Sequence, residues 1–69
     1  MLKPFYVIVA TTDEGEDKFV GKDENSGGYP YLSDYAQIFY SDDYFNGLTR
    51  FGKEYLKVKE VVLKPIHFK

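Results

Sequence analysis

The chain has only 69 residues and no cysteine, so its fold depends on one small hydrophobic core without disulfide support. Below about 70 to 80 residues, such a core rarely contributes more than about 3 to 5 kcal/mol. Aromatic residues make up 19% of the chain, and each buried ring removes a large apolar area from water. We therefore expect a single domain over residues 1–69, stabilised by aromatic packing or by formation of a homodimer. The lack of cysteine gives no sign of an oxidising compartment, so a cytoplasmic location is expected.

The N-terminal apolar run is too short for a signal peptide or a membrane span. It begins after Pro4 and ends at Thr11, whereas a spanning helix needs about 20 apolar residues. β-Branched and aromatic residues dominate the run, and these residues favour strands. Residues 5–10 are therefore predicted to form a strand that is buried on both faces and central in its sheet. No membrane association is expected.

Two more strands are predicted in the first forty residues. Residues 18–22 follow a turn signal at residues 13–16 and are expected to pair back on the first strand as a hairpin. Residues 23–28 indicate a polar loop, and Tyr29 must be extended because it precedes a proline. Residues 35–40 fit either a strand or a helical turn. Their aromatic ends favour a third strand, which is our prediction.

A single helix is predicted over residues 42–51. Ser41 is a good N-cap, and the carboxylates of Asp42 and Asp43 complement the positive end of the helix dipole. Gly52 would end the helix in a left-handed conformation. The apolar face of the helix should consist of Tyr44, Phe45, Leu48 and Phe51. This face should contact four residues of the sheet, Val7, Val9, Val58 and Val62.

The last strand is predicted over residues 55–64. Apolar and lysine residues alternate up to Lys59, and the run Val61-Val62-Leu63 then breaks the alternation, which predicts a bulge near Glu60 or burial on both faces. The lysines are typical of an edge strand. The order β-β-β-α-β predicts an α+β fold, a small and largely antiparallel sheet of three to four strands with one short helix packed on one face.

Charge is unevenly distributed along the sequence. Residues 11–47 hold nine acids and two bases, a formal charge of −7, while residues 48–69 hold six bases and two acids, a formal charge of +4. Such asymmetry indicates a charged partner surface rather than a feature of the fold. Ordinary solubility is the simpler explanation of an acidic segment, and the sequence leaves both explanations open.

The residue pattern contains no recognisable catalytic or metal-binding motif. His67 is the one histidine, and the serines have no base and acid at a suitable spacing. The acids of residues 13–17 lack the alternating oxygen ligands of a calcium loop. We therefore expect a non-enzymatic protein with no cofactor and no metal ion.

An aromatic and acidic segment is the best candidate for a protein-binding face. Pro30 stiffens the backbone between two tyrosines, whose rings provide contact area at little entropic cost. Packing of these rings over the small core is an equally good explanation. The predicted protein-binding residues are Tyr29, Tyr31, Asp34, Tyr35, Asp42 and Asp43.

Four short motifs lie in residues 5–8 (Phe-Tyr-Val-Ile), 18–21 (Lys-Phe-Val-Gly), 26–31 (Ser-Gly-Gly-Tyr-Pro-Tyr) and 36–42 (Ala-Gln-Ile-Phe-Tyr-Ser-Asp). In these motifs the chain resembles short uncharacterised accessory proteins encoded by bacteriophages. These motifs mark turns and strands rather than chemistry, so they identify no catalytic residue. The resemblance implies a protein made in a bacterial cytoplasm that binds a host protein and inhibits or modulates it.

Two functions are compatible with these patterns. In the first, the acidic, tyrosine-rich face binds a host protein, and its carboxylates mimic the phosphates of a nucleic acid. In the second, the basic last strand follows the phosphates of single-stranded nucleic acid while aromatic rings stack on the bases. The isoelectric point near 5.2 argues against direct nucleic-acid binding. The first function is therefore our prediction.

Overall fold

The computed structural model describes residues 5–66, which form an antiparallel sheet and one α-helix. The elements are β1 (Phe5–Thr12), β2 (Asp17–Asp23), a 3₁₀ turn (Glu24–Ser26), β3 (Tyr29–Ser33), α1 (Asp43–Leu56) and β4 (Val58–Ile66). The four strands lie in the order β3-β2-β1-β4, and all neighbours are antiparallel. The predicted α+β class is confirmed.

Strand β1 occupies the centre of the sheet, as its apolar sequence predicts. A turn joins β1 to β2. In this turn the Thr12 amide donates to the Glu16 carbonyl oxygen at 2.8 Å. Gly15 has a φ of 87° in this turn, a value that glycine adopts without steric cost. Ile8 is buried on the face towards the helix and Val7 is buried on the other face, so β1 carries apolar side chains on both sides.

The third strand lies earlier in the chain than residues 35–40, where it was predicted. It is β3, and it pairs along its length with β2 at one edge of the sheet. An edge position tolerates Pro30, which has no amide hydrogen to donate. The segment after β3 instead inserts beside β1, where Phe39 and Tyr6 exchange two backbone hydrogen bonds of 2.8 and 2.9 Å. Next to it, the Lys22 amide donates to Gln37 Oε1 at 2.7 Å.

Helix α1 is longer than predicted. It passes through Gly52 and ends at Leu56, where Lys57 adopts the left-handed conformation with a φ of 57° and its amide donates to the carbonyl oxygens of Lys53 and Glu54. The good helix formers after Gly52 outweigh the cost of one internal glycine, which is about 1 kcal/mol. At the other end the N-cap is Asp42 rather than Ser41, and its side chain makes no capping hydrogen bond.

The helix covers the face of the sheet that carries Ile8. The buried core consists of Ile8, Ala10, Val20, Phe39, Leu48, Val58 and Val61. Tyr44 and Phe45 are half-buried against this core as predicted, whereas Phe51 is 75% exposed. Phe51 was therefore wrongly assigned to the core face of the helix.

Three of the four predicted sheet contacts are also wrong, for a reason that lies in strand alternation. Successive residues of a strand point to opposite faces, so Val7 and Val9 face away from the helix when Ile8 faces it. Lys59 is an extra residue in β4, because Thr11 pairs with Glu60 and Thr12 pairs with Val58. The predicted bulge near Glu60 is thus confirmed. It allows Val58 and Val61 to enter the core, while Val62 faces away with Val9, its partner across β1 and β4.

Candidate functional site

A groove of about 300 Å³ lies between helix α1 and edge strand β3. Tyr29 and Pro30 line it from the strand, and Tyr44, Phe51 and Tyr55 line it from the helix. The lining is predominantly apolar and aromatic, which is typical of small-molecule sites and of pockets that take up a side chain of a partner protein.

Helical periodicity places the groove residues on one stripe of α1. Gly47, Phe51 and Tyr55 are four residues apart, so they lie one above another along the helix. A methyl group built on Gly47 would meet no heavy atom within 4 Å. The missing side chain at Gly47 therefore keeps this part of the groove open.

The aromatic rings of the groove are largely exposed. Tyr55 stacks on Tyr29 with ring centroids 5.4 Å apart and an interplanar angle of 28°, yet the two tyrosines are 58% and 56% exposed. Phe51 beside them is more exposed still. Contiguous exposed rings of this kind mark binding surfaces more often than isolated apolar residues do.

Tyr44 connects the helix to the start of β3. Its hydroxyl group donates to the Gly28 carbonyl oxygen at 2.7 Å, and its ring stacks on Phe39 with centroids 5.4 Å apart. Burial raises the pKa of Tyr44, and the nearby carboxylate of Glu24 raises it further. Tyr44 is thus a structural member of the groove that stays neutral at physiological pH.

Acidic residues predominate at the end of the groove that lies beside the N-terminus of α1. Asp42 and Asp43 begin the helix, and Asp43 lines the groove. Glu24 lies close enough to Tyr44 to influence its pKa, and Lys22 Nζ is 3.7 Å from Glu24 Oε1. Among residues 5–66, three carboxylates therefore accompany one ammonium group here, which favours a basic partner.

The six residues predicted to bind a protein lie in three places. Tyr29 and Asp43 line the groove, and Asp42 is next to it at the helix N-cap. The ring of Tyr31 covers Gly21, its cross-strand partner, on the face of the sheet away from the helix.

The remaining two residues follow β3 at its far end. Asp34 Oδ1 is 2.6 Å from Lys18 Nζ, and this hydrogen bond raises the pKa of the lysine. Tyr35 is exposed, and its amide donates to Ser33 Oγ. Binding by any of the six residues stays a prediction, but they do not form one continuous patch.

Sequence reasoning missed Phe51 and Tyr55 on the helix side of the groove. Phe51 was assigned to the core, and Tyr55 was assigned to the last strand. The four-residue spacing of Gly47, Phe51 and Tyr55 is the signal that identifies them, because it gives one helical stripe only if the helix continues through Gly52.

Residues 5–66 contain no group of three or more His, Cys, Asp or Glu side chains that could hold a metal ion. The serine hydroxyls in this range make local hydrogen bonds, such as Ser26 Oγ to the Asp23 carbonyl oxygen. His67 lies outside the described residues.

Comparison of the chain with protein-family models, curated proteins and solved structures found no match. The fold and the groove are therefore the observations from which a function is inferred. Over residues 5–66, no helix combines the length and the apolar character needed to cross a membrane.

Proposed function

We propose that this protein is a non-enzymatic protein-binding module that inhibits or modulates a host protein, as an accessory protein made by a bacteriophage in the bacterial cytoplasm. The observation that carries the proposal is the groove between α1 and β3, with Tyr29, Phe51 and Tyr55 exposed along it. Aromatic residues are enriched in protein interfaces, where they supply most of the binding energy.

The occupant of the groove is an apolar or aromatic side chain on a basic segment of the partner protein. The open space over Gly47 takes up this side chain, and the rings of Phe51 and Tyr55 pack around it. Asp42, Asp43 and Glu24 attract the basic groups that flank it. Charged groups of this kind increase the association rate and the selectivity, whereas buried rings slow dissociation.

Mimicry of nucleic acid follows from the same chemistry. A host protein that holds DNA or RNA in a basic groove presents cationic side chains at a spacing suited to phosphates. The carboxylates at the start of α1 would occupy such positions, and the neighbouring rings would add apolar contacts that phosphates lack.

The experiment is an affinity capture from a bacterial lysate, followed by binding kinetics with the purified partner. Phe51→Ala should weaken binding about 30-fold or more, as expected for a truncated interface anchor worth about 2 kcal/mol. Tyr40→Ala is the matched control, because Tyr40 is also a largely exposed ring but lies outside the groove. Equal binding by the parent and Phe51→Ala, both shown to be folded by circular dichroism, would refute the groove as the site.

The acidic end of the groove is tested by Asp42→Asn combined with Asp43→Asn. The association rate should fall and its salt dependence should flatten, while the dissociation rate changes little. Tyr31→Ala should increase the dissociation rate if the partner also reaches the other side of β3. If the aspartate double variant and Tyr31→Ala both keep the association and dissociation rates of the parent, the acidic charge contributes only to solubility.

Binding of single-stranded nucleic acid is the second candidate function. It is favoured by Arg50 and Lys53, which lie on the same helix as the exposed rings of Phe51 and Tyr55. Lys64, in contrast, pairs with Val7 on the opposite face of the sheet. Tight oligonucleotide binding that weakens steeply with salt, and is lost in Phe51→Ala and in Arg50→Gln, would establish this function in place of the first.

A further inference from the structure

The face of the sheet away from the helix carries a row of apolar side chains. Because Ile8 faces the helix, Val7 and Val9 face away from it. Val9 lies directly across from Phe19 on β2 and from Val62 on β4, so the three form one row across three strands. Val62 is 37% exposed. The open face of a two-layer fold is normally polar, so an apolar row on it is a candidate for contact with a partner.

Charged residues flank the apolar row along the strand direction. On one side, Thr11 of β1 pairs with Asp17 and with Glu60, and its hydroxyl donates to Asp17 Oδ1 at 2.9 Å. On the other side, Val7 pairs with Lys64. The open face is therefore acidic beyond one side of the row and basic beyond the other.

We propose that this face binds a second copy of the chain in a two-fold symmetric dimer. A two-fold axis that runs along the row keeps each strand opposite its own counterpart and reverses its direction. Val62 then packs on Val62 of the partner subunit, and Val9 and Phe19 meet their own counterparts. Lys64 and Glu60 lie two residues on either side of Val62, so the axis places Lys64 opposite Glu60 of the partner subunit.

Self-complementary charge is the reason to choose a second copy as the occupant. An interface related by a two-fold axis must match itself, and Glu60 and Lys64 do so because they are equidistant from the axis. The need for a covering partner is also strong in a chain of 69 residues without disulfides. This inference is independent of the groove, which lies on the helix side of the molecule.

The size of the face sets the expected affinity. Three strands spaced about 4.8 Å apart and about five residues of each, rising about 3.4 Å per residue, give a footprint of about 14 by 17 Å. This is smaller than a standard protein interface, so the dimer should be weak and reversible, with a dissociation constant in the micromolar range.

Sedimentation equilibrium over a concentration series tests the proposal. The parent should shift from the 8.0 kDa mass of one chain towards twice that mass in the micromolar range. Val62→Asp should weaken the dimer at least tenfold, because it brings two like charges together on the axis. Lys53→Glu, a charge reversal on the helix, is the control and should leave the dissociation constant unchanged.

A charge swap tests the direction of the axis. Lys64→Glu and Glu60→Lys should each weaken the dimer severalfold, and the double variant should restore it, because the two charges then meet in exchanged positions. If Val62→Asp fails to fold, the variants at Lys64 and Glu60 still test the proposed dimer. A parent that stays monomeric up to about 1 mM, or a double variant as weak as the single ones, would overturn the proposal. A dimer lost in Phe51→Ala and kept in Val62→Asp would also overturn it, because the groove would then be the interface.

Discussion

Two glycines of helix α1 should respond differently to the same substitution. Alanine in place of glycine inside a helix stabilises it by about 0.8 to 1.0 kcal/mol, because the glycine loses more backbone entropy on folding. At Gly47 the new methyl group meets nothing within 4 Å, so no packing cost opposes this gain. Gly47→Ala should therefore stabilise the protein by about 0.5 to 1 kcal/mol.

Gly52→Ala makes the same gain in helix propensity but meets a buried side chain. Its methyl carbon would lie 2.2 Å from Leu48 Cδ1 and 2.6 Å from Leu48 Cγ, and Leu48 is only 5% exposed. Overpacking of this kind costs about 1 to 3 kcal/mol. After subtraction of the helix gain, Gly52→Ala should range from neutral to about 2 kcal/mol destabilising, so the two variants should differ by about 1 to 3 kcal/mol.

Urea unfolding followed by far-ultraviolet circular dichroism measures this difference, at one fixed protein concentration because a dimer would add its own stability. In thermal unfolding, 1 kcal/mol corresponds to about 4 to 8 °C for a domain of this size. Equal stability of the two variants, or greater stability of Gly52→Ala, would refute the predicted clash between the new methyl group and the Leu48 side chain. The methyl group of Gly47→Ala also enters the groove, so partner binding should weaken while stability rises.

Three further predictions follow from the core, from the raised pKa and from the Tyr31 ring. Leu48→Ala should cost about 2 to 5 kcal/mol in urea unfolding, as a truncated buried leucine does, and a near-neutral result would contradict its burial. Because burial raises the pKa of Tyr44 above 10.0, the neutral phenol is favoured in the folded state. The contribution of this phenol to the stability of the protein is full below pH 10.0 and is lost as the pH rises through the pKa of Tyr44 in the folded state. Tyr44→Phe should flatten that loss in a stability profile at alkaline pH and should cost about 1 kcal/mol at neutral pH through the hydrogen bond to Gly28. Gly21→Ala would place a methyl carbon 2.5 Å from Tyr31 Cζ and so displace the ring; in a double-mutant cycle with Tyr31→Ala the two costs should not add.

Local sequence patterns determined the class of the fold and several of its elements. The apolar run of β1 is continuous, which predicts burial on both faces, so its central position in the sheet was predictable. The bulge near Glu60 was also predictable, because Val61-Val62-Leu63 interrupts an alternating pattern that must keep one face in the core. The start of the helix followed from the acidic pair at Asp42 and Asp43.

Tertiary structure decided the features that local patterns leave ambiguous. Residues 29–33 became the third strand because the edge of β2 was available for pairing and an edge accepts Pro30. Phe39 became part of the core because its segment pairs with Tyr6 beside β1. Such long-range pairings depend on which edges are free once the other strands have formed, and no window of sequence contains that information.

The candidate site shows the same division. Exposed tyrosines and acids could be identified from composition, but their grouping into a groove required the helix to continue through Gly52. It continues because the good helix formers after Gly52 outweigh the local tendency of glycine to end a helix. The continued helix places Phe51 and Tyr55 beside Tyr29 of a strand more than twenty residues earlier. The residue types of the site were thus present in the sequence, whereas their placement on one surface was decided by the packing of α1 on the sheet.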